Sequence, residues 1–316
     1  MYNHLGYACI NMTLGKKHIL TGRAMRKATL EAKGLSFASS LALQNARDLL
    51  TILKWNLEHD IYFFRLGSDL FPWGNKVDVY QFPDIEEIKS VLLEAGNFAT
   101  KHNMRITTHP GPFNLLASPK EDVVQNTIRD LEMHALVFDF MGLSRTPYNK
   151  INIHVGATYG DKETAAATWC KNFLRLSEGV RSRLTVENDD KANMYSVLDL
   201  YHLIHSKVGV PIVFDFHHHT FCTGDLSAHD ALELAVSTWP KGIRPATHYS
   251  ESKALHESND KLNPRAHSDY ITGVIDTFEF DVDVMIEAKA KELALLQYRV
   301  AQEKFSQNPA VLCEQR

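Results

Sequence analysis

The stretch VFDFHHHT, residues 213–220, ends an apolar run with Asp215 and follows it with three imidazoles, His217, His218 and His219. Other side chains of the same two chemical types recur along the chain in the same setting. His109, His154, Glu187, His248 and Glu287 each stand where a short apolar segment stops, and His267 lies shortly before the last long amphipathic stretch. A lone histidine at a strand end is ordinarily a hydrogen-bonded core or surface residue. Seven or eight such groups aimed at one place are not. Imidazoles and carboxylates without cysteine suit manganese, zinc or iron, and they outnumber the roughly four donors of one tetrahedral ion, so about two to three divalent ions are expected. Strand alternation puts Asp215 and His217 on one side and Phe216 and His218 on the other, yet a strand end can re-aim either, and spacing does not choose among the histidines.

The segments that would have to position these groups form a regular series. Strand-like runs cover 5–12, 61–68, 105–112, 151–156, 183–190, 210–219, 243–250 and 282–289. Between and after them, helix-like stretches cover 36–59, 84–103, 119–142, 163–179, 193–207, 228–239, 268–279 and 289–305. Ser118 reads as a helix cap with Pro119 at the first helical position and Glu121 at the third, and Asp84 to Glu87 repeats the cap logic. Continuous apolar strands imply burial on both faces and hence a parallel sheet. Eight β-α units with no composition break predict a single (β/α)8 TIM barrel over 1–316, an α/β fold whose chemistry sits at the carboxyl ends of the strands.

Composition agrees. Hydrophobic content of 44% and charged content of 23% are those of a chain with a full core. No apolar stretch approaches the roughly 20 residues of a membrane span, and Met1–His4 leads into a strand without a signal-peptide pattern, so a cytoplasmic protein, nucleoid-associated or in a host cytoplasm, is expected. Cys9, Cys170, Cys222 and Cys313 are scattered with no C-x-x-C pair and read as reduced thiols. A net charge of −4 does not advertise nucleic acid. Residues 16–33 are a local exception, with Lys16, Lys17, Arg23, Arg26, Lys27 and Lys33 against Glu31; this is either a solvated loop or a contact to backbone phosphates.

The motifs LGYACIN, FRLGSDLFPW, THPGPF, IHVG, TVEND, FDFHHH, RPATHYSES, RAHSDY and MIEAKAKE, in this order over residues 5–292, resemble the UV-damage endonuclease family. The resemblance implies a barrel related to endonuclease IV and the xylose-isomerase-like barrels. It also implies a DNA repair enzyme that nicks damaged double-stranded DNA immediately 5′ of ultraviolet photoproducts, with clustered divalent ions, typically Mn2+, with Zn2+ or Mg2+ as alternatives. Its ligands fall on His109, His154, Glu187, Asp215, His218, His248, His267 and Glu287, which selects His218 from the triplet and leaves His217 and His219 as orienting donors or surface residues. Tyr7 and Asn11 match residues near the lesion and the metals, and with Glu187 make up the expected catalytic set. Arg65 and Lys191 are candidates for holding phosphates, and Tyr7, Phe113 and Trp73 for lining a flipped-base pocket. No membrane and no obligate protein partner are implied.

Two positions depart from the family. After H-P-G the family usually has glutamine and tyrosine, which probe the duplex; here Pro112 and Phe113 stand, so the stacking ring is kept and the amide is lost. Ala246 stands where the family commonly has a metal-adjacent lysine. Two other functions fit parts of the pattern: a metal-dependent sugar isomerase or epimerase on the same barrel, and a lesion-binding protein with little catalysis.

Overall fold

The computed structural model describes residues 4–307, so Met1–Asn3 and Cys313 lie outside the described residues. Eight parallel strands close in sequence order: β1 Leu5–Ala8, β2 Phe63–Leu66, β3 Arg105–Thr108, β4 Ile151–Ile153, β5 Leu184–Glu187, β6 Ile212–Asp215, β7 Ala246–Tyr249 and β8 Asp283–Ile286. The ring is sealed where Leu5 pairs with Val284 and Tyr7 with Ile286. The expected TIM barrel is therefore the observed fold. Its strands, of three or four residues each, are shorter than the apolar runs suggested: β3 and β4 stop just before His109 and His154, whereas Glu187, Asp215 and His248 still pair in the ladder.

Two apolar layers hold the barrel. The larger lies between the sheet and its helices and includes Leu49, Leu92, Ile106, Leu131, Trp169, Leu184, Phe214 and Leu295. The smaller gathers Ala8, Phe63, Val213, Trp239, Ala246 and Met285 from five strands and one helix end. Arg105 closes the amino-terminal end of the interior: its guanidinium lies over the Phe63, Tyr148 and Trp239 rings and donates to Asp283 Oδ2 at 2.8 Å. A buried charge needs that pairing.

The helices follow the expected order with three corrections. The stretch 268–279 is not helical; the connection between β7 and β8 carries only the short helix Lys253–His256, and its backbone N–H groups at Thr272 and Gly273 donate to the Glu251 carboxylate. Helix Glu121–Phe140 starts later than its sequence cap predicts, with Lys120 at the cap and Ser118 Oγ accepting from Lys120 N at 3.1 Å. Asp84 precedes helix Ile85–Lys101 without capping it, because its carboxylate accepts instead from Ser39 Oγ at 2.7 Å. The first long helix, Lys27–Glu58, is broken at Gly34 (φ 69°), which explains why the amphipathic pattern starts only at 36.

Candidate metal centre

The carboxyl ends of the strands converge on Glu187, the last residue of β5, which is 1% exposed. One of its carboxylate oxygens, Oε2, lies 3.0 Å from His109 Nε2 and 3.8 Å from His154 Nε2, and accepts from Asn152 Nδ2. The other, Oε1, lies 3.1 Å from His248 Nδ1 and 3.4 Å from His218 Nδ1. His248 Nδ1 is also 3.2 Å from Glu287 Oε1, and His267 Nδ1 is 3.8 Å from Glu287 Oε2. The eight residues singled out by sequence are thus brought to one rim.

Local folding decides which histidine of the triplet joins them. The strand stops at Asp215, and Phe216–His219 form a helical turn that Asp215 caps, Oδ1 accepting from His218 N at 2.7 Å. Residues three apart on such a turn share a face, so His218 returns to the side of Asp215, against strict strand alternation. His217 packs instead against the His267 ring at 5.6 Å and the Phe221 ring at 5.2 Å, and His219 packs against Phe214.

Charges in the cluster are redistributed by burial and mutual pairing. Burial works against ionisation of Glu187, but His248, His154 and the contact with His109 hold its carboxyl well below the usual range. Burial also works against a charged His154, yet Glu187 and Asp189, whose Oδ1 is 3.3 Å from His154 Nδ1, lift it to about 10. His248 goes the other way, pushed by burial to about 4. Burial raises Asp215 to about 7 against the pull of His218. Burial works against ionisation of Glu287 as well, but its pairing with Arg65, together with the nearby His248 and His109, keeps that carboxyl well below the usual range. His218 is also raised, by Asp215 and Glu187 against burial, so the carboxylates favour protons on His154 and His218 while burial favours one on Asp215.

The donor set fits divalent ions. His109, His154 and Glu187 offer ligand atoms all within 4.8 Å of one another, as do Glu187, Asp215 and His248. Asp215 Oδ2 is buried without a hydrogen-bond partner, a cost that a bound ion would offset.

Several residues of this centre were not singled out from sequence. Asn152 on β4 holds Glu187, and Asn188 accepts from Asp215 N at 2.8 Å. Lys150, fully buried, places Nζ 2.9 Å from His248 Nε2, and burial lowers its amine to about 7. Ala246 sits two residues before His248 on β7, so a lysine amine reaches this region from Lys150, just before β4, although β7 lacks one. The period-two polar series Lys150, Asn152, His154 is the signal that marks them.

Tyr7 and Asn11 are placed differently from expectation. Tyr7 is 0% exposed and donates to Asn56 Oδ1 of helix Lys27–Glu58 at 2.8 Å, while Asn11 Nδ2 donates to the Tyr7 hydroxyl at 3.0 Å and Asn11 Oδ1 caps helix Met12–Gly15. Neither side chain faces the open rim; both are fixed between β1 and the outer helix. Trp73 likewise ties two loops, its Nε1 donating to Met25 O at 2.9 Å. Pro112 and Phe113, by contrast, are exposed on the loop after β3, with Phe113 at 85%. Pro112 also lines a cleft of about 280 Å³ that reaches His154 and His218 and is bounded by Asp190, Lys191 and Met194. Lys16, Lys17, Arg26, Lys27 and Lys33 are exposed in the connection after β1 and its helix start.

Among the described residues, no helix is long and apolar enough to cross a membrane. The sequence profile of the family described as UV-endonuclease UvdE matches residues 3–310. A UV-damage endonuclease of Schizosaccharomyces pombe is 38% identical over 309 residues, a match that covers 93% of this chain and 49% of that protein, so this chain spans about half the length of that relative. Among solved structures, SacUVDE superimposes with a TM-score of 0.83 at 29% identity, covering 96% of this chain and 99% of that one. Endonuclease IV from Thermus thermophilus shares the fold at a TM-score of 0.53 and 14% identity, over 81% and 94% of the two chains.

Proposed function

The chain belongs to the UV-endonuclease UvdE family, and we propose that it nicks duplex DNA immediately 5′ of ultraviolet photoproducts by metal-assisted phosphodiester hydrolysis. The observation that supports this most is the convergence of the His109, His154, His218, His248 and His267 imidazoles on the carboxylates of Glu187 and Glu287 at the open end of the barrel. His109, His154, Glu187, Asp215, His218, His248, His267 and Glu287 would hold about two to three divalent ions, a set that suits Mn2+, Zn2+ or iron and of which the family resemblance favours Mn2+. Such ions, when bound, polarise the scissile phosphate, make hydroxide available near neutral pH and stabilise the departing oxygen.

The remaining work falls to the chain's own side chains. Asn152 fixes the Glu187 carboxylate, Asp189 orients His154, and Asn188 fixes the backbone of Asp215. Tyr7 and Asn11 hold the start of the connection after β1 rather than touching the lesion. Phe113 offers a ring for stacking in the opened duplex, and the cleft beside Pro112 offers room for an extruded base close to His154. Lys191 borders that cleft, and the exposed lysines after β1 supply phosphate contacts that the net charge conceals.

The deciding experiment is incision of an irradiated duplex with Mn2+ present, with products sized against a ladder. Cuts 5′ of the photoproduct and none in undamaged duplex are expected. Turnover of a keto sugar with no nicking would replace this function by that of a sugar epimerase, and tight binding of damaged duplex without cutting would leave a lesion-binding protein.

The ionisation pattern sets a second expectation. His154, raised to about 10, and Asp215, raised to about 7, must both give up protons to become ligands. Manganese binding at pH 7.5 should therefore release at least about one proton per chain, read by calorimetry in buffers of different ionisation enthalpy. Affinity should rise from pH 6 to 8. In the metal-free protein the sign for Asp215 is opposite to that of an ordinary carboxylate: folded chains hold its proton from about pH 4, where unfolded chains lose it, up to about 7, so its contribution falls as pH rises through that window. Binding without proton release, or with fewer than about two ions per chain by elemental analysis, counts against the ligand set.

A further inference from the structure

Of all the large apolar side chains on the described surface, Phe113 is the most exposed, yet the loop that carries it is tightly tied. Its neighbours Asn114, Leu116, Ala117 and Ser118 are buried, and within 109–118 only Pro112 and Phe113 are exposed. The tie runs to helix Glu121–Phe140. Asn114 Nδ2 donates to Asp130 Oδ2 at 2.8 Å and to Gly111 O at 3.0 Å, spanning both flanks of the exposed pair. Leu115 N donates to Thr127 Oγ1 at 2.9 Å, one helical turn before Asp130. The second oxygen of Asp130, Oδ1, accepts from Asn75 Nδ2 at 2.6 Å, joining the loop after β2 to the same carboxylate.

We propose that Asp130 is a positioning residue for DNA recognition: its carboxylate locks the 111–115 loop so that the Phe113 ring is held ready to stack in a damaged duplex. The inference rests on the nicking function proposed above and extends it to a residue that touches neither DNA nor metal. Its chemistry is specific. Two side-chain amides each present N–H to Asp130, one to each oxygen, an arrangement that a side chain with two acceptor oxygens satisfies and an amide does not. A glycine-containing turn followed by an exposed ring would otherwise sample many directions, and ordering it on contact with DNA would cost affinity. A tie made before binding removes that cost.

The test is a double-mutant cycle on full-length protein with Mn2+ present, reading affinity for a photoproduct duplex and for the same undamaged duplex, together with kcat and KM for incision. Asp130→Asn keeps the volume but sets an amide against an amide at one of the two contacts. Asp130→Asn and Phe113→Ala should each weaken binding to damaged duplex about tenfold, the size expected for a stacked base, while affinity for undamaged duplex changes little. The double variant should be no weaker than the poorer single one. KM should rise, kcat at saturation should stay within about twofold, and bound manganese should be unchanged.

Parent-like affinity of Asp130→Asn overturns the proposal, as do losses that simply multiply in the double variant. A fall in kcat or in manganese content that accounts for the defect also overturns it, because the effect would then pass through the metal centre. If Asp130→Asn does not fold, Asn114→Ala cuts the same tie from the loop side and must show the same coupling to Phe113; independence of the two sinks the idea. A parent protein that neither prefers nor cuts damaged duplex refutes the nicking function itself and removes the proposal with it. An active parent with an uncoupled Asp130 refutes the positioning role alone.

Discussion

Glu187→Gln should lower incision by a factor on the order of 10³ or more, with the circular dichroism spectrum of the parent retained. That factor is the scale on which single electrostatic groups at a reacting centre act. Four imidazoles lie within 4 Å of the Glu187 carboxylate, and among the described residues no other carboxylate of the rim has as many. Glutamine preserves its length and volume but not its charge, and places N–H where one oxygen stood. At Oε2 that N–H would confront the Asn152 amide, and at Oε1 it would confront whichever His218 or His248 nitrogen carries a proton.

The variant should also show a displaced proton. His154 stays charged to about 10 against burial chiefly because Glu187 is near, so removing that charge lowers its titration, which histidine proton resonances would follow across pH. Incision near the parent rate would remove Glu187 from the chemistry. An unchanged His154 titration would instead show that Asp189, not Glu187, carries the charge.

The centre was legible in sequence wherever a ligand directly ends a strand. His109, His154 and Glu187 stand at the point where an apolar β-run stops, and in a barrel that point is the open rim. Asp215 and His218 could not be paired by the same rule, because a strand rule alternates while the chain has already turned helical at Phe216. His267 belongs to no strand end. It is delivered by the irregular 250–282 connection, through an isolated bridge between Ser252 and His267 and a contact from its Nδ1 to Glu287 O at 2.8 Å.

The same connection misled the helix assignment. The apolar residues of 268–279 share no helical face: Phe278 lies against the His229 ring, Val274 is exposed, and Ile275 N donates to the Tyr298 hydroxyl of the last helix. Lys150 and Asn152 do not stand out in the sequence because polar residues at the start of a buried strand look like its solvent edge. Only closure of the barrel turns them inward beneath His154.

Pro112 and Phe113 carry the second large expectation. Phe113→Ala should weaken binding of every photoproduct, and with it cutting at subsaturating duplex, about tenfold, since an aromatic face contributes roughly 1–3 kcal/mol and accepts any base. Pro112 bears on selectivity instead. It lines the cleft that reaches His154 and His218, and its ring offers no donor or acceptor to a base there. With a wedge and no reader, the protein should depend on how far the lesion itself has opened the stack, because a base already unstacked costs less to extrude. A strongly distorting pyrimidine–pyrimidone photoproduct should therefore be cut faster than a cyclobutane dimer in the same sequence. Pro112→Gln adds an amide at the mouth of the cleft and should narrow that ratio, chiefly by improving the dimer. Incision of the two defined duplexes by the parent and both variants decides it. Equal cutting of the two lesions by the parent would show that a group elsewhere on the rim reads the damage, and Asp190 and Lys191, which line the same cleft, would be the next side chains to replace.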